Sequence, residues 1–208
     1  SFPAVLGLNL ELCRAFSDQE FAALQTATQL RLLDLPGSRV SDAGLAHLLP
    51  LTRLVALDLE VCDGVTDGGC LTLGQMTQLR SLSLKKTGFE PDCITNVGLG
   101  HLATLEKLET LNLYGNRIND EGTGAIESLG ALRQLDLSLL GITDKSLVHL
   151  KPLTKLRRLD LLYSEGFGGT NLTDEGMTTL ATLTQLTSLN LVGARISDAG
   201  LGRLAPLV

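Results

Sequence analysis

The sequence predicts an α/β solenoid, with a parallel β-sheet along a concave face and short helices along the convex face. Three observations carry that expectation. A hexamer of the form L-x-x-L-x-L recurs along the 208 residues, with origins at Val5, Leu30, Leu54, Leu79, Leu108, Leu132, Leu156 and Leu186. Inside each copy the apolar residues alternate, as Leu159 and Leu161 do with Arg158 and Asp160, which is the period of a strand with one buried face. Further along the copy the spacing lengthens to three, as in Met177, Leu180 and Leu183, which suits a short α- or 3₁₀-helix with one buried stripe.

The intervals between origins are 25, 24, 25, 29, 24, 24 and 30 residues, so residues 1–208 read as one continuous array of about eight repeats. A lone unit cannot cover its own apolar residues, and stacking is what closes the core. Strands from successive units then pair in parallel about 4.8 Å apart.

Each helix has its own start signal. Ser41, Thr66, Thr95, Thr143, Thr173 and Ser197, with Asn119 in the fifth copy, stand where a side-chain oxygen can take a free amide of the first turn. Asp42, Asp67, Asp120, Asp144, Asp174 and Asp198 follow them and place negative charge at the positive helix end. These aspartates therefore read as structural rather than catalytic. In the first copy Phe16 and Phe21 replace the usual smaller residues, as a partial cap would. Pro50, Pro152 and Pro206 share one slot that ends the helix before the next coil.

Cys13 and Cys62 occupy one position, three residues past the last strand leucine, where Ser38, Thr87 and Asn116 stand in other copies. Side chains there can bond the turn backbone. Cys70 replaces a core leucine, and Cys93, inside an insertion, is expected to be the exposed thiol. Four unpaired thiols are the preferred reading, with a Cys62–Cys93 bridge left open, and this points to a reducing compartment such as the cytoplasm. A secreted or host-delivered protein stays open as well. His47, His101 and His149 are two repeats apart, at least about 10 Å, so they cannot share a metal. No metal and no cofactor is expected, and no nucleophile–base pair or phosphate loop points to an enzyme.

The net charge of −6 and pI near 5.0 argue against nucleic acid, whose affinity comes from phosphate neutralisation by Lys and Arg. No apolar run approaches the roughly 20 residues of a membrane span. Both ends lie inside or close to a repeat without a polar cap, so an adjoining domain or self-association at the ends is expected.

The outward position between the last two strand leucines holds Asn9, Asp34, Asp58, Ser83, Asn112, Asp136, Asp160 and Asn190, with Arg133, Arg157 and Arg158 expected to neutralise its carboxylates. Just beyond the strand, the first half of the array is polar or neutral: Glu11, Pro36-Gly37, Glu60 and Lys85-Lys86. The second half carries Tyr114, Leu139-Leu140, Leu162-Tyr163 and Val192. Two insertions, residues 85–93 with Phe89 and 163–171 with Phe167, project from the same rim, where each ring either recognises a partner or packs down. Apolar and aromatic residues on an outward rim mark association surfaces, with Tyr and Arg as favoured anchors. The expected partner-binding patch is Tyr114, Leu139, Tyr163 and Phe167, flanked by Arg133, Arg157 and Arg158, with Phe89 on the second loop.

The period, the LRRLDL-type strands, the I-[TS]-D-x-G-L helix starts and the C-x-x-[FV]-[ST]-D copies at Cys13 to Asp18 and Cys62 to Asp67 together resemble the leucine-rich repeat, in its cysteine-containing and ribonuclease-inhibitor-like classes. The resemblance covers essentially the whole chain. It implies a leucine-rich-repeat solenoid, a horseshoe used mainly for protein–protein recognition. The expected function is thus a non-enzymatic module that binds a protein partner of unknown identity on its concave face and loop-bearing rim. The alternative is the recognition or autoregulatory arm of a larger enzyme, such as a ubiquitin-ligase substrate receptor or a bacterial effector.

Overall fold

A computed structural model of the chain describes residues 5–13, 18–86, 93–163 and 171–207. Its strands are β1 (Gly7–Asn9), β2 (Leu32–Asp34), β3 (Ala56–Asp58), β4 (Ser81–Ser83), β5 (Thr110–Asn112), β6 (Gln134–Asp136), β7 (Arg158–Asp160) and β8 (Ser188–Asn190). They form one open parallel sheet in sequence order. Each begins two residues after its hexamer origin, and the register is unbroken: Leu8, Leu33, Leu57, Leu82, Leu111, Leu135, Leu159 and Leu189 pair in turn. Sheet and helices enclose a single leucine column, from Leu30, Leu33 and Leu35 to Leu156, Leu159 and Leu161, all buried. Phe21 is buried with them, while Phe16 lies outside the described residues.

The convex side carries α1 (Asp18–Leu24), α2 (Asp42–Leu45), α3 (Asp67–Leu73), α4 (Asn96–Leu102), α5 (Asp174–Leu180) and α6 (Asp198–Arg203). Thr123–Ser128 and Ser146–Leu150 are 3₁₀ instead, and α2 continues as a 3₁₀ turn over Ala46–Leu48. These three belong to the coils that span 24 residues; the coils of 25, 29 and 30 residues carry seven-residue α-helices. A 3₁₀ segment rises about 2.0 Å per residue against 1.5 Å for α. A coil one residue short therefore reaches its neighbour by stretching its helix.

Five of the seven caps form as the residue pattern predicts: Ser41, Thr66, Thr95, Thr173 and Ser197 each accept the amide two residues on. Asn119 and Thr143 accept the same amide, but their 3₁₀ segments start later, at Thr123 and Ser146, without a side-chain cap. The aspartates do more than face the helix dipole. Asp18 accepts Ser41 N (2.9 Å) and Oγ (2.5 Å), Asp42 accepts Thr66 N (2.8 Å) and Oγ1 (2.6 Å), and Asp67 accepts Thr95 N (2.8 Å) and Oγ1 (2.6 Å). Asp120, Asp144 and Asp174 repeat this with Thr143, Thr173 and Ser197, and Asn96 exchanges bonds with Asn119 in the remaining coil. Each carboxylate thus grips the cap of the next coil.

That ladder explains the glycine of the D-x-G motif. A Cβ on Gly69, Gly98 or Gly176 would land on a carboxylate oxygen of Asp42, Asp67 or Asp144 from the coil before. Where Ser146 takes the place, its hydroxyl donates to Asp120 Oδ1 at 2.5 Å.

Three sequence-based expectations are corrected by the coil-to-coil contacts. Cys93 is buried at 5% exposure, because the chain around it is already drawn against the next coil: Arg117 N donates to Ile94 O at 2.9 Å, and Ile94 N donates to Asn116 Oδ1 at 3.2 Å. Lys86, read as part of the polar rim, is 4% exposed and donates its ammonium to the Cys62 carbonyl. Burial lowers the Lys86 pKa and raises that of Cys62. Leu140 does not face outward with Leu139; it is fully buried, since it falls in the inward column of Ser38, Cys62 and Asn116. In that column Asn116 Nδ2 donates to the carbonyls of Leu84 and Leu113, both at 2.9 Å, and Cys62 Sγ to that of Leu35 at 3.2 Å.

Candidate functional site

Two edges bound the concave face. Along the downstream rim, where the chain leaves each strand, Tyr114, Leu139 and Tyr163 lie in successive coils. Leu139 N donates to Leu162 O (3.0 Å) and Tyr163 N to Val192 O (2.8 Å), so the rim backbone is held from coil to coil. All three side chains are half-buried. Lys85 Nζ stands 5.5 Å from the Tyr114 ring centroid and the Arg195 guanidinium 5.8 Å from that of Tyr163, so a cation covers part of each ring. Lys85 in turn pairs with Glu60 at 2.6 Å.

The turn behind this rim is left-handed in six coils: Leu12, Gly37, Val61, Gly115, Leu139 and Gly193 have φ between 54° and 79°. Glycine is required at Gly115 and Gly193, where a Cβ would collide with the carbonyls of Lys86 and Tyr163. Leu139 takes the same conformation at a cost on the order of 1 kcal/mol.

The arginines do not all flank the tyrosines. Arg133 and Arg157 precede β6 and β7 and lie on the opposite, upstream edge, where Arg133 pairs with Glu109 at 3.4 Å and Arg157 donates to Gln185 Oε1 at 2.6 Å. Arg158 lies between the edges and neutralises Asp160, Nε to Oδ2 at 2.8 Å. Of the three arginines expected to balance the carboxylate column, Arg158 is the one bonded to it. Phe89 and Phe167 lie outside the described residues.

The column itself caps the turns. The Oδ1 atoms of Asn9, Asp58, Asn112, Asp136 and Asn190 accept the amide two residues on, at 2.8 to 3.1 Å. Burial pushes the Asp136 carboxyl above the ordinary range, against the pull of its bonds from Ser138, and the nearby Asp160 pushes it further. An acid with a raised folded pKa costs stability when ionised, and the cost vanishes below its unfolded pKa. Asp136→Asn keeps the acceptor, as Asn112 does naturally. It is expected to melt at or above the wild-type temperature at pH 7, with the difference closing by pH 3.5. A lower melting temperature at pH 7 would refute this.

Between the edges lies a shallow hollow of about 190 Å³ whose lining includes Thr110, Asn112, Gln134, Asp136, Arg158 and Asp160. Sequence reasoning missed the other end of the face. Leu6, Leu12 and Leu32 in the first two coils are 55%, 63% and 48% exposed, more open than the half-buried Tyr114, Leu139 and Tyr163. The apolar surface is thus not confined to the second half. The available signal was Leu32 itself, an apolar residue in the outward strand position that Ala56, Ser81, Thr110, Gln134, Arg158 and Ser188 fill in other coils. Among the described residues no three His, Cys, Asp or Glu side chains converge as a metal site would require, and no helix is long and apolar enough to cross a membrane.

Comparison with known proteins agrees with this geometry. A family model described as a leucine-rich repeat matches residues 104–126 and 182–205. Among solved structures, internalin C2 from Listeria monocytogenes is 23% identical, with 98% of this chain and 77% of that one covered at a TM-score of 0.73. A second internalin from the same organism, inlF, is 22% identical over 90% of this chain and 68% of that one, at a TM-score of 0.49. The likeness to internalin C2 is one of fold. Eight stacked coils with parallel strands in sequence register, together with the two stretches matched by the repeat model, give this chain the leucine-rich-repeat fold.

Proposed function

We propose that the chain is a non-enzymatic recognition module that binds a protein partner across its concave face and downstream rim, with Tyr114, Leu139, Tyr163 and Arg158 as anchors. The observation that carries this reading is the open sheet. Eight strands present outward columns of polar and charged side chains to one shared surface, while the leucines that build it point away. Arrays of this kind supply extended concave surfaces whose shape follows from the repeat. Half-buried tyrosines offer large rigid contact area at low entropic cost, and Arg158 adds charge. Three buried thiols without bridges suit a reducing compartment, the cytoplasm.

The experiment is affinity capture with the purified chain, compared with Tyr163→Ala and Leu139→Asp. Both variants are expected to keep the wild-type melting transition and to lose the captured partner. Capture unchanged in both would reject this rim as the binding surface.

A further inference from the structure

The upstream edge of the sheet carries a basic row that the proposed function does not use. The carbonyls of Leu6, Arg31, Val55, Arg80, Glu109, Arg133 and Arg157 each accept two amides from the following coil, which fixes these residues in a single row one position before the strands. Four of the seven are arginines and one is acidic. Glu109 bridges Arg80 and Arg133, with Arg133 at 3.4 Å, and this holds both guanidiniums in line. Arg31, Arg80, Arg133 and Arg157 are all exposed.

At the start of the row Leu6, Gln29, Arg31 and Arg53 line a hollow of about 400 Å³. Arg53 donates to Gln29 Oε1. The Arg31 guanidinium makes no hydrogen bond or ion pair among the described residues, in a chain of net charge −6. Two guanidiniums, one of them unpaired, face a hollow walled by an aliphatic side chain and an amide. That combination is complementary to a carboxylate on an apolar stem, since a guanidinium binds a carboxylate through two parallel N–H donors.

We propose that this edge binds an extended acidic segment of a partner protein, with one carboxylate seated at Arg31 and Arg53. The spacing fits. Arg31, Arg80 and Arg133 are two coils apart, roughly 10 Å at about 4.8 Å per strand, and an extended chain covers the same distance in three residues. A segment with an acidic residue at every third position meets the row in register. The row lies across the sheet from Tyr114 and Tyr163, so it is a second surface, independent of the downstream rim.

The probe is a fluorescein-labelled peptide of four Glu-Leu-Ser units, followed by fluorescence anisotropy. Binding at 50 mM NaCl is expected to weaken about tenfold by 300 mM, as screening shortens the reach of exposed charges. Arg31→Glu with Arg53→Glu is expected to weaken it by a further order of magnitude, about tenfold, at an unchanged melting temperature. Tyr163→Ala is expected to leave it unaltered, which separates this surface from the downstream rim. No binding at 50 mM NaCl, equal binding by the charge-reversed variant, or equal binding of a Lys-Leu-Ser peptide would overturn the proposal. Tighter binding to phosphatidylserine vesicles than to the acidic peptide would also overturn it, by assigning the edge to a membrane surface.

Discussion

Leu111→Ala is expected to lower the unfolding free energy by about 3 kcal/mol, read as a fall in the urea midpoint. Leu111 is 1% exposed in β5, between Leu82 and Leu135 in register. Its neighbours cannot close the resulting gap, because the strands that carry them are pinned by the parallel ladder on both sides. In an array whose coils touch only adjacent coils, a weak interface near the middle also lets the two halves lose their coupling. The variant should therefore unfold over a broader range of urea than the wild type. Leu201→Ala on the convex side, where Leu201 is 62% exposed, is the control and should shift stability by less than about 0.5 kcal/mol. A Leu111→Ala midpoint equal to that of the wild type would remove the leucine column as the source of cohesion.

The second large effect concerns the ladder on the convex side. Asp67→Ala strips acceptors from Thr95 N, Thr95 Oγ1 and Gly98 N, bonded at 2.8, 2.6 and 3.0 Å. Leaving those donors in a partly buried seam should cost about 3 kcal/mol. Gly98→Ala should cost about 2 kcal/mol, since the added methyl meets the Asp67 carboxylate first and Ile94 Cγ2 next. Together the two should cost less than their sum, because the first removes the obstacle that the second strikes. Additive losses in a double-mutant cycle would show that the carboxylate does not dictate the glycine.

The same ladder sets an acid limit. At Asp120 burial pushes the carboxyl up, but the bonds from Ser146 and Thr143 outweigh it and hold the pKa below the ordinary value. A lowered folded pKa means stability that is present above the unfolded carboxylate pKa, near 3.9, and lost as pH falls through the lower folded value. Asp120→Asn, compared with wild type between pH 6 and 2, should flatten that part of the stability profile. An unchanged slope would detach Asp120 from acid unfolding.

Much of the architecture was legible in the residues. Strand positions, register and helix caps all follow from spacing within one repeat: alternation places Leu111 inward, and a hydroxyl before Asp67 starts α3. The candidate surface was legible only in part. Tyr114, Leu139 and Tyr163 can be placed on one rim from their distance to the strand, but the cover over the two tyrosine rings comes from Lys85 and Arg195 in neighbouring coils. Arg133 and Arg157 each stand six residues before a rim residue, Leu139 and Tyr163. In space they are separated from them by the width of the sheet, because a three-residue strand lies between.

By itself the sequence determined the periodic part of this protein: the coil, its parallel sheet and the leucines that face inward. Side-chain alternation and capping act over a few residues, and every copy repeats them. Only the tertiary structure decided what depends on contact about 24 residues away, namely the Asp67 grip on Thr95, the burial of Lys86 and Cys93, the inward turn of Leu140, and the meeting of Arg31 with Arg53 over one hollow. Those outcomes turn on the rise and offset of each coil against the next, which the helical segments set by being α in longer coils and 3₁₀ in shorter ones.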